Sequence, residues 1–293
     1  MRVPAWVSFA ACTLIWGTTW LGIKLSYKGI EPFWGASLRF FLAGPLLLAG
    51  FALRRPSRPP RGFELALGAF VGVLLFGIDY GLIYWAEQHI PSGLTAVLFA
   101  TMPLFVALIA APVLPDERFG FGHAAGIALG IGGLVIVFRD QLGFEASDLL
   151  PMLAVVGAAL AGAVSAVVMR RFGRHADAYF LNGSAMLVGA LVLLSLSLMH
   201  DERPALPHGA VAWLATAYLA LFGSVVGFLL YFRMLHSWGA NRSSLITLLT
   251  PVVALGVSGV MGERVTLEQL LGTALVLAGV AVSIWWRPAP SRP

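Results

Sequence analysis

The sequence predicts an all-α integral membrane protein, with ten transmembrane helices arranged as two inverted five-helix repeats. Three observations carry that fold class. The 293 residues are 59% hydrophobic and 11% charged, whereas a soluble domain carries roughly 25% charged residues; the mean hydropathy is +0.86. The apolar residues fall in ten runs near the length of about 20 residues that a helix needs to cross a bilayer. The second half also repeats the first at a shift of 146 residues.

Taken in order, the spans are expected at 5–25, 32–53, 63–86, 93–114, 120–138, 149–170, 178–199, 209–235, 241–261 and 267–286. The first is too long for the apolar core of a signal peptide, and no small-residue cleavage site follows it. The fifth is short, and the ninth opens on the polar Asn241 and Arg242. Between spans lie short segments of proline, glycine and charge, such as RRPSRPPRG (54–62), RDQLGFEASD (139–148) and HDERPALPH (200–208). None could house a soluble domain.

The net charge of +5 does not point to nucleic acid, because the arginines sit in the gaps between apolar runs. With the N-terminus inside, 13 of the 19 Lys and Arg residues fall on the inner side and 4 on the outer side, while Lys24 and Arg39 lie within spans. Basic residues accumulate on the cytoplasmic side of membrane proteins, so both termini are expected there. An odd number of spans would break this alternation. The lone Cys12 permits no intrachain disulfide.

The repeat is clearest where ERFGFGHAAGIALGIGGLVIVF (117–138) lies over ERVTLEQLLGTALVLAGVAVSI (263–284). Glu117, Arg118, Gly126, Ala128, Leu129 and Gly133 fall on Glu263, Arg264, Gly272, Ala274, Leu275 and Gly279; with a two-residue slip, Pro103 falls on Pro251. The expected division is residues 1–146 and 147–293, one five-helix repeat each within a single membrane domain. Five is odd, so the second repeat enters the bilayer from the opposite side. That architecture is typical of secondary transporters, which bind substrate near the midplane and alternate access by rocking one half against the other. Channels also use inverted repeats.

The runs LIWGTTWLGIKL (14–25), AEQHIPSGLTAVLFATMPLFVALIAAPVLPDERF (86–119) and MLHSWGANRSSLITLLTPVVALGVSGVMGERVTLEQLLGTALVLAGV (234–280) resemble the drug/metabolite transporter superfamily, EamA-type branch. The resemblance covers essentially the whole chain, and the aromatic-rich first and third spans look closest to the YddG-like amino-acid exporters. It implies a ten-helix permease of a bacterial inner membrane that moves amino acids or similar metabolites outward. Its alternative cargo is another metabolite or a drug-like compound. The implied partners are a small-molecule substrate and the lipid bilayer, with proton coupling open; no nucleic acid, ATPase subunit or cofactor is implied.

Candidate site residues follow from charge and aromaticity inside spans. Asp79 and Arg39 both lie seven residues from the outer ends of their spans, about 10 Å below the surface at 1.5 Å per residue. Intramembrane charges are costly unless paired or wet. Together with Lys24 they form a charge pair or gate: Asp79 and Arg39 either bind each other structurally, or receive the ammonium and carboxylate of a zwitterion, with Lys24 snorkelling outward. Phe76, Tyr80 and Tyr84 share one helical face, and Trp16, Thr19 and Ile23 share another. Trp20 and Phe99 add to this aromatic set, and Ser224, Phe228 and Tyr231 form the matching stripe in the second half. These side chains either receive a substrate or simply pack. Pro103 and Pro251, placed mid-span, interrupt the backbone ladder as hinges or as static kinks. Glu117 and Glu263 read as first-turn acids favoured by a helix dipole. Gly126, Gly130, Gly133, Gly272 and Gly279 read as close-packing positions.

Other chemistries lack their residues. GTTWLGIKL (17–25) falls short of a phosphate-binding loop, since Lys24 does not directly follow the second glycine. The histidines lie in loops or near span ends without HExxH spacing, so no metal site is expected. An intramembrane enzyme would need nucleophiles or metal ligands at a common depth.

Overall fold

Without water to satisfy them, backbone N–H and C=O groups in a bilayer must bond within the chain, so long apolar runs become helices. A computed structural model describes residues 4–56, 58–90, 92–117, 120–141, 148–260 and 266–285. Arg2, Arg118, Glu263, Arg264, Arg287 and Arg292 lie outside the described residues.

The helices are α1 (Ala5–Ser26), α2 (Pro32–Leu53), α3 (Gly62–Ala86), α4 (Ser92–Phe99 continued by Met102–Val113), α5 (Phe121–Val137), α6 (Leu149–Phe172), α7 (Ala178–Met199), α8 (Gly209–Trp238), α9 (Ala240–Ser244 continued by Ile246–Val260) and α10 (Leu267–Trp285). Among the described residues nine helices are long and apolar enough to span, and α5 is an apolar helix of 17 residues. The chain is an integral membrane protein with the expected ten-helix pattern.

Polar ties at the two rims follow the alternation of ten spans. On the rim of the chain termini, Arg58 forms a bidentate pair with Glu64 (2.7 and 2.9 Å) and donates to His175 O. On the opposite rim, His208 N donates to Gly29 O (2.8 Å), Glu202 accepts from Phe33 N and Trp34 N, and Arg139 pairs with Glu268 at 3.0 Å.

The repeat is visible as symmetric packing. Helix α1 packs on α8 and α9, and its counterpart α6 packs on α3 and α4. The pairs α2–α7 and α5–α10 pack on each other across the pseudo-two-fold axis. In α5–α10 a side chain at Gly126 would strike Gly279 O at 2.5 Å, and one at Gly133 would strike Gly272 O at 2.6 Å. These two contacts exchange under the repeat. In α2–α7, Gly44 approaches Gly183 O, and the equivalent positions make the Ser37 Oγ bond to Ala190 O at 2.8 Å. Small residues at such crossings let backbones approach closely where lipid supplies no hydrophobic drive.

Two local features depart from plain helices. Helix α3 is a π-helix over Gly72–Asp79, and α8 is a π-helix over Leu219–Val226. The segments coincide at a shift of 147 residues. Helix α4 breaks at Ala100 and Thr101, just before Pro103, and α9 breaks at Leu245. Pro251, by contrast, sits inside the continuous Ile246–Val260 segment. The expected interruption of the ladder there is muted, because Thr250 Oγ1 turns back to Thr247 O at 3.5 Å, the acceptor that a residue-251 amide would have used.

Glu117 also has a different role from the expected one. Its carboxylate accepts from the backbone N–H groups of Ala240 and Asn241 (2.6 Å for the latter), capping α9. Gly239, at φ 94°, makes the turn that presents those amides, and a side chain there would meet Glu117 Oε1 at 2.9 Å. Arg170 stands beside this cap, 3.6 Å from Glu117, and donates to Asp116 and His236 O.

Candidate functional site

Six helices around the pseudo-axis, α1, α3, α4, α6, α8 and α9, together with Arg39 of α2, enclose a central cavity. It leaves about 110 Å³ open to the centres of water molecules, against the roughly 10–15 Å³ that one water needs. A small organic molecule is therefore the relevant scale.

Of the residues expected at a site, Trp16, Thr19, Trp20, Arg39, Asp79, Tyr80, Tyr84, Phe99, Phe228 and Tyr231 line this cavity. Phe76 and Ser224 do not; both are buried directly behind it. Phe76 packs against Phe40 (5.0 Å), Tyr80 (6.2 Å) and Phe228 (4.7 Å). The expected Phe76–Tyr80–Tyr84 stripe assumed an α-helix throughout, but the step from 76 to 80 crosses the end of the π segment. Phe76, within the π segment, stays stacked on Tyr80 without itself lining the cavity. Leu75, Asp79 and Ile83 join those two tyrosines instead.

Arg39 and Asp79 face the same cavity, yet no nitrogen of Arg39 lies within 4.0 Å of the Asp79 carboxylate. The direct charge pair is therefore not formed. Arg39 Nε donates to Ser224 Oγ at 2.7 Å, and its guanidinium lies 5.2 Å from the Tyr80 ring centre and 5.3 Å from that of Phe40. Ser224 Oγ in turn donates to Leu219 O, five residues back, within the second π-helix. A desolvated cation on an aromatic face gains about 2 kcal/mol, so Arg39 is held in place without a carboxylate. Lys24 is exposed, away from this pair, and its charge acts on Glu87 at the end of α3.

Asp79 is 2% exposed, and its Oδ1 has no hydrogen-bond partner among the described residues. The Tyr231 hydroxyl is in the same position. Buried polar atoms are ordinarily satisfied, so two orphans in one cavity mark places where a ligand's donors would sit. Room beside Asp79 comes from Gly162, where a side chain would meet Asp79 Oδ2 at 2.7 Å. Trp16, by contrast, is fixed: its Nε1 donates to Gly223 O at 3.0 Å, and its ring contacts Phe228 and Tyr231 at 5.1 and 5.2 Å. Among the described residues no group of His, Cys, Asp and Glu could hold a metal ion.

Sequence reasoning missed the α6 and α9 walls: Gly162, Met169, Ile246, Thr247 and Thr250, with Met102 on α4. The repeat itself held the signal. Shifting the α1 positions Trp16 and Ile23 by 146 gives Gly162 and Met169, and shifting Phe99 and Met102 by 148 gives Thr247 and Thr250. The lining is symmetric in position and asymmetric in chemistry: Trp16 and Phe99 present rings where their counterparts Gly162 and Thr247 present a hydrogen and a hydroxyl.

The EamA-like transporter family model matches the chain twice, over residues 4–139 and 149–285. The chain is 28% identical to the uncharacterized transporter YoaV of Bacillus subtilis, over 95% of this chain and 96% of that one. It is 29% identical to the uncharacterized inner membrane transporter YedA of Escherichia coli, over 99% and 94%. A similar match is to the protein PagO of Salmonella typhimurium, at 27% over 99% and 95%. A crystal structure 22% identical in sequence shares the fold, with a TM-score of 0.81 over 97% of both chains. Two matched segments, ten apolar helices and a central cavity between inverted halves together make this chain a membrane transporter of the EamA-like transporter family.

Proposed function

We propose that this transporter exports amino acids, favouring those with apolar or aromatic side chains, from the cytoplasm by alternating access of its two halves. The observation that carries the reading is one cavity holding a guanidinium and a carboxylate that do not pair with each other, inside a wall of rings. A zwitterion fits that pattern: its carboxylate meets Arg39, its ammonium meets Asp79 Oδ1, and its side chain lies among Trp16, Trp20, Tyr80 and Phe99. An apolar pocket with a few placed polar groups is the usual form of a small-molecule site. The breaks before Pro103 in α4 and at Leu245, ahead of Pro251, in α9 serve as the flexible points of the two equivalent helices.

The outward direction rests on the resemblance to exporters, while the 13 to 4 basic bias concerns the orientation of the chain and favours cytoplasmic termini. Cysteine scanning checks it. Pro59→Cys should be shielded from an impermeant thiol reagent in intact cells, and Ala205→Cys should react. Cys12 is buried, so it contributes no background. Labelling of Pro59→Cys alone would invert the orientation.

Uptake of labelled phenylalanine into proteoliposomes, with and without a proton gradient, tests the function. A carrier shows saturation and counterflow; a channel shows neither. Trp16→Ala and Tyr80→Ala should each abolish most transport while leaving a folded protein. Full transport in both variants would remove the cavity from the substrate path.

A further inference from the structure

A second groove lies at the rim of the chain termini, where the end of α2, the α6–α7 turn and the end of α8 meet. Three guanidinium groups from three different elements converge on it: Arg54, Arg174 and Arg233. All three are exposed, and among the described residues none has a carboxylate within 4.0 Å. That separates them from Arg58, Arg139 and Arg170, each of which has an acidic partner. The acid within the groove, Asp177, is engaged in capping α7, accepting from Tyr179 N at 2.8 Å and Phe180 N at 3.3 Å. Arg54 is held over the Tyr179 ring at 4.7 Å. On the membrane side the wall is apolar, formed by Leu229, Leu230 and Phe232 of α8.

We infer that this groove binds the phosphate headgroup of an anionic membrane phospholipid, with its acyl chain lying along Leu229 and Leu230. Three guanidinium groups share the groove with a single carboxylate, that of Asp177, so the groove keeps a net positive charge, and a phosphate offers several acceptor oxygens to arginine forks. The depth is right: the groove lies at the ends of three spans, where headgroups sit, and the apolar wall continues from it into the bilayer. Basic pockets between helix ends at a membrane face recognise anionic headgroups in this way. A lipid seated here joins the α2–α7 pair of the symmetric core to α8 of the cavity wall.

The test uses the purified full-length protein and native mass spectrometry with phosphatidylglycerol, phosphatidylcholine or inorganic phosphate as the probe. The wild type should retain phosphatidylglycerol at least tenfold more tightly than phosphatidylcholine. Combined Arg54→Gln, Arg174→Gln and Arg233→Gln should remove that preference. Arg55→Gln with Arg171→Gln, which takes two charges from the same rim outside the groove, should preserve it. If the triple variant does not fold, Arg233→Gln alone should weaken phosphatidylglycerol at least threefold. Equal loss in the Arg55/Arg171 variant would reduce the effect to general rim charge and overturn the site. Inorganic phosphate displacing the lipid at equal concentration would overturn the lipid assignment, and so would an unchanged preference in the triple or single variant.

Discussion

Replacing Gly162 by alanine is the sharpest probe of how the cavity recognises an ammonium group. The new methyl would stand 2.7 Å from Asp79 Oδ2, where ordinary contact begins near 3.4 Å, so the carboxylate must retreat by about 0.7 Å. In the empty protein that retreat is cheap, because Asp79 Oδ1 gives up no protein hydrogen bond by moving. With substrate bound, the carboxylate is clamped, and the overpacking cost of about 1–3 kcal/mol falls on the complex. That converts to roughly 5- to 150-fold weaker binding. The assay is the apparent KM for labelled phenylalanine in proteoliposomes, beside the inhibition constant of phenylpropionate, which lacks the ammonium. Gly162→Ala should weaken phenylalanine by that factor and leave phenylpropionate within about twofold. Melting temperature should barely change. In an Asp79→Asn background the same substitution should add little further, since the two changes act on one contact. An equal loss for both ligands, or a fall in melting temperature that accounts for the loss of transport, would refute the assignment of Asp79 to the ammonium.

Because Arg39 is bonded to Ser224 rather than to Asp79, Asp79→Asn and Arg39→Gln should not rescue each other; a double variant regaining transport and stability would restore the direct ion pair. Ser224→Ala should leave the Arg39 Nε–H unsatisfied and destabilise the fold by about 1.5–3 kcal/mol, read by thermal unfolding. Glu117→Ala removes the acceptor for two buried amides of α9 and should cost about 1–3 kcal/mol, with Glu117→Gln recovering part of it; no change in melting temperature would place the cap elsewhere. Glu87, at the rim beyond α3, is pushed up to about 7 by burial, opposed by the charge of Lys24. The folded state therefore holds this proton more tightly than the unfolded chain, whose value is near 4.5. The resulting stability is full below pH 4.5 and is lost as pH rises through 7. Melting temperature should fall between pH 5 and 8, and Glu87→Gln should remove that contribution; an unchanged slope in the variant would exclude Glu87.

The spans, their number and the repeat were legible in the sequence, because each rests on a local quantity. Twenty apolar residues must become a helix in a bilayer, whatever surrounds them, and an odd-numbered repeat must invert. The glycines that let α5 meet α10 could also be read there, since a missing side chain at a repeated position has few other uses. Much of the cavity was legible for a related reason: charge and aromatic rings are rare enough within spans to stand out. The walls supplied by Gly162, Met169 and Thr247 were not, because small and aliphatic residues look alike in a membrane sequence until a neighbouring helix gives them something to face. What only the tertiary structure decided was orientation around helix axes and the choice among partners. The cavity takes Leu75 and Ile83 of α3 and leaves Phe76 stacked behind Tyr80, and α3 is wound there as a π-helix that no residue pattern announces. Arg39 and Asp79 share a depth, but depth does not set distance. Packing placed Ser224 and the Tyr80 ring nearer to the guanidinium and left the carboxylate for something else. Glu117 likewise serves a helix more than 120 residues further along the chain, because the turn at Gly239 brings the first amides of α9 onto its carboxylate.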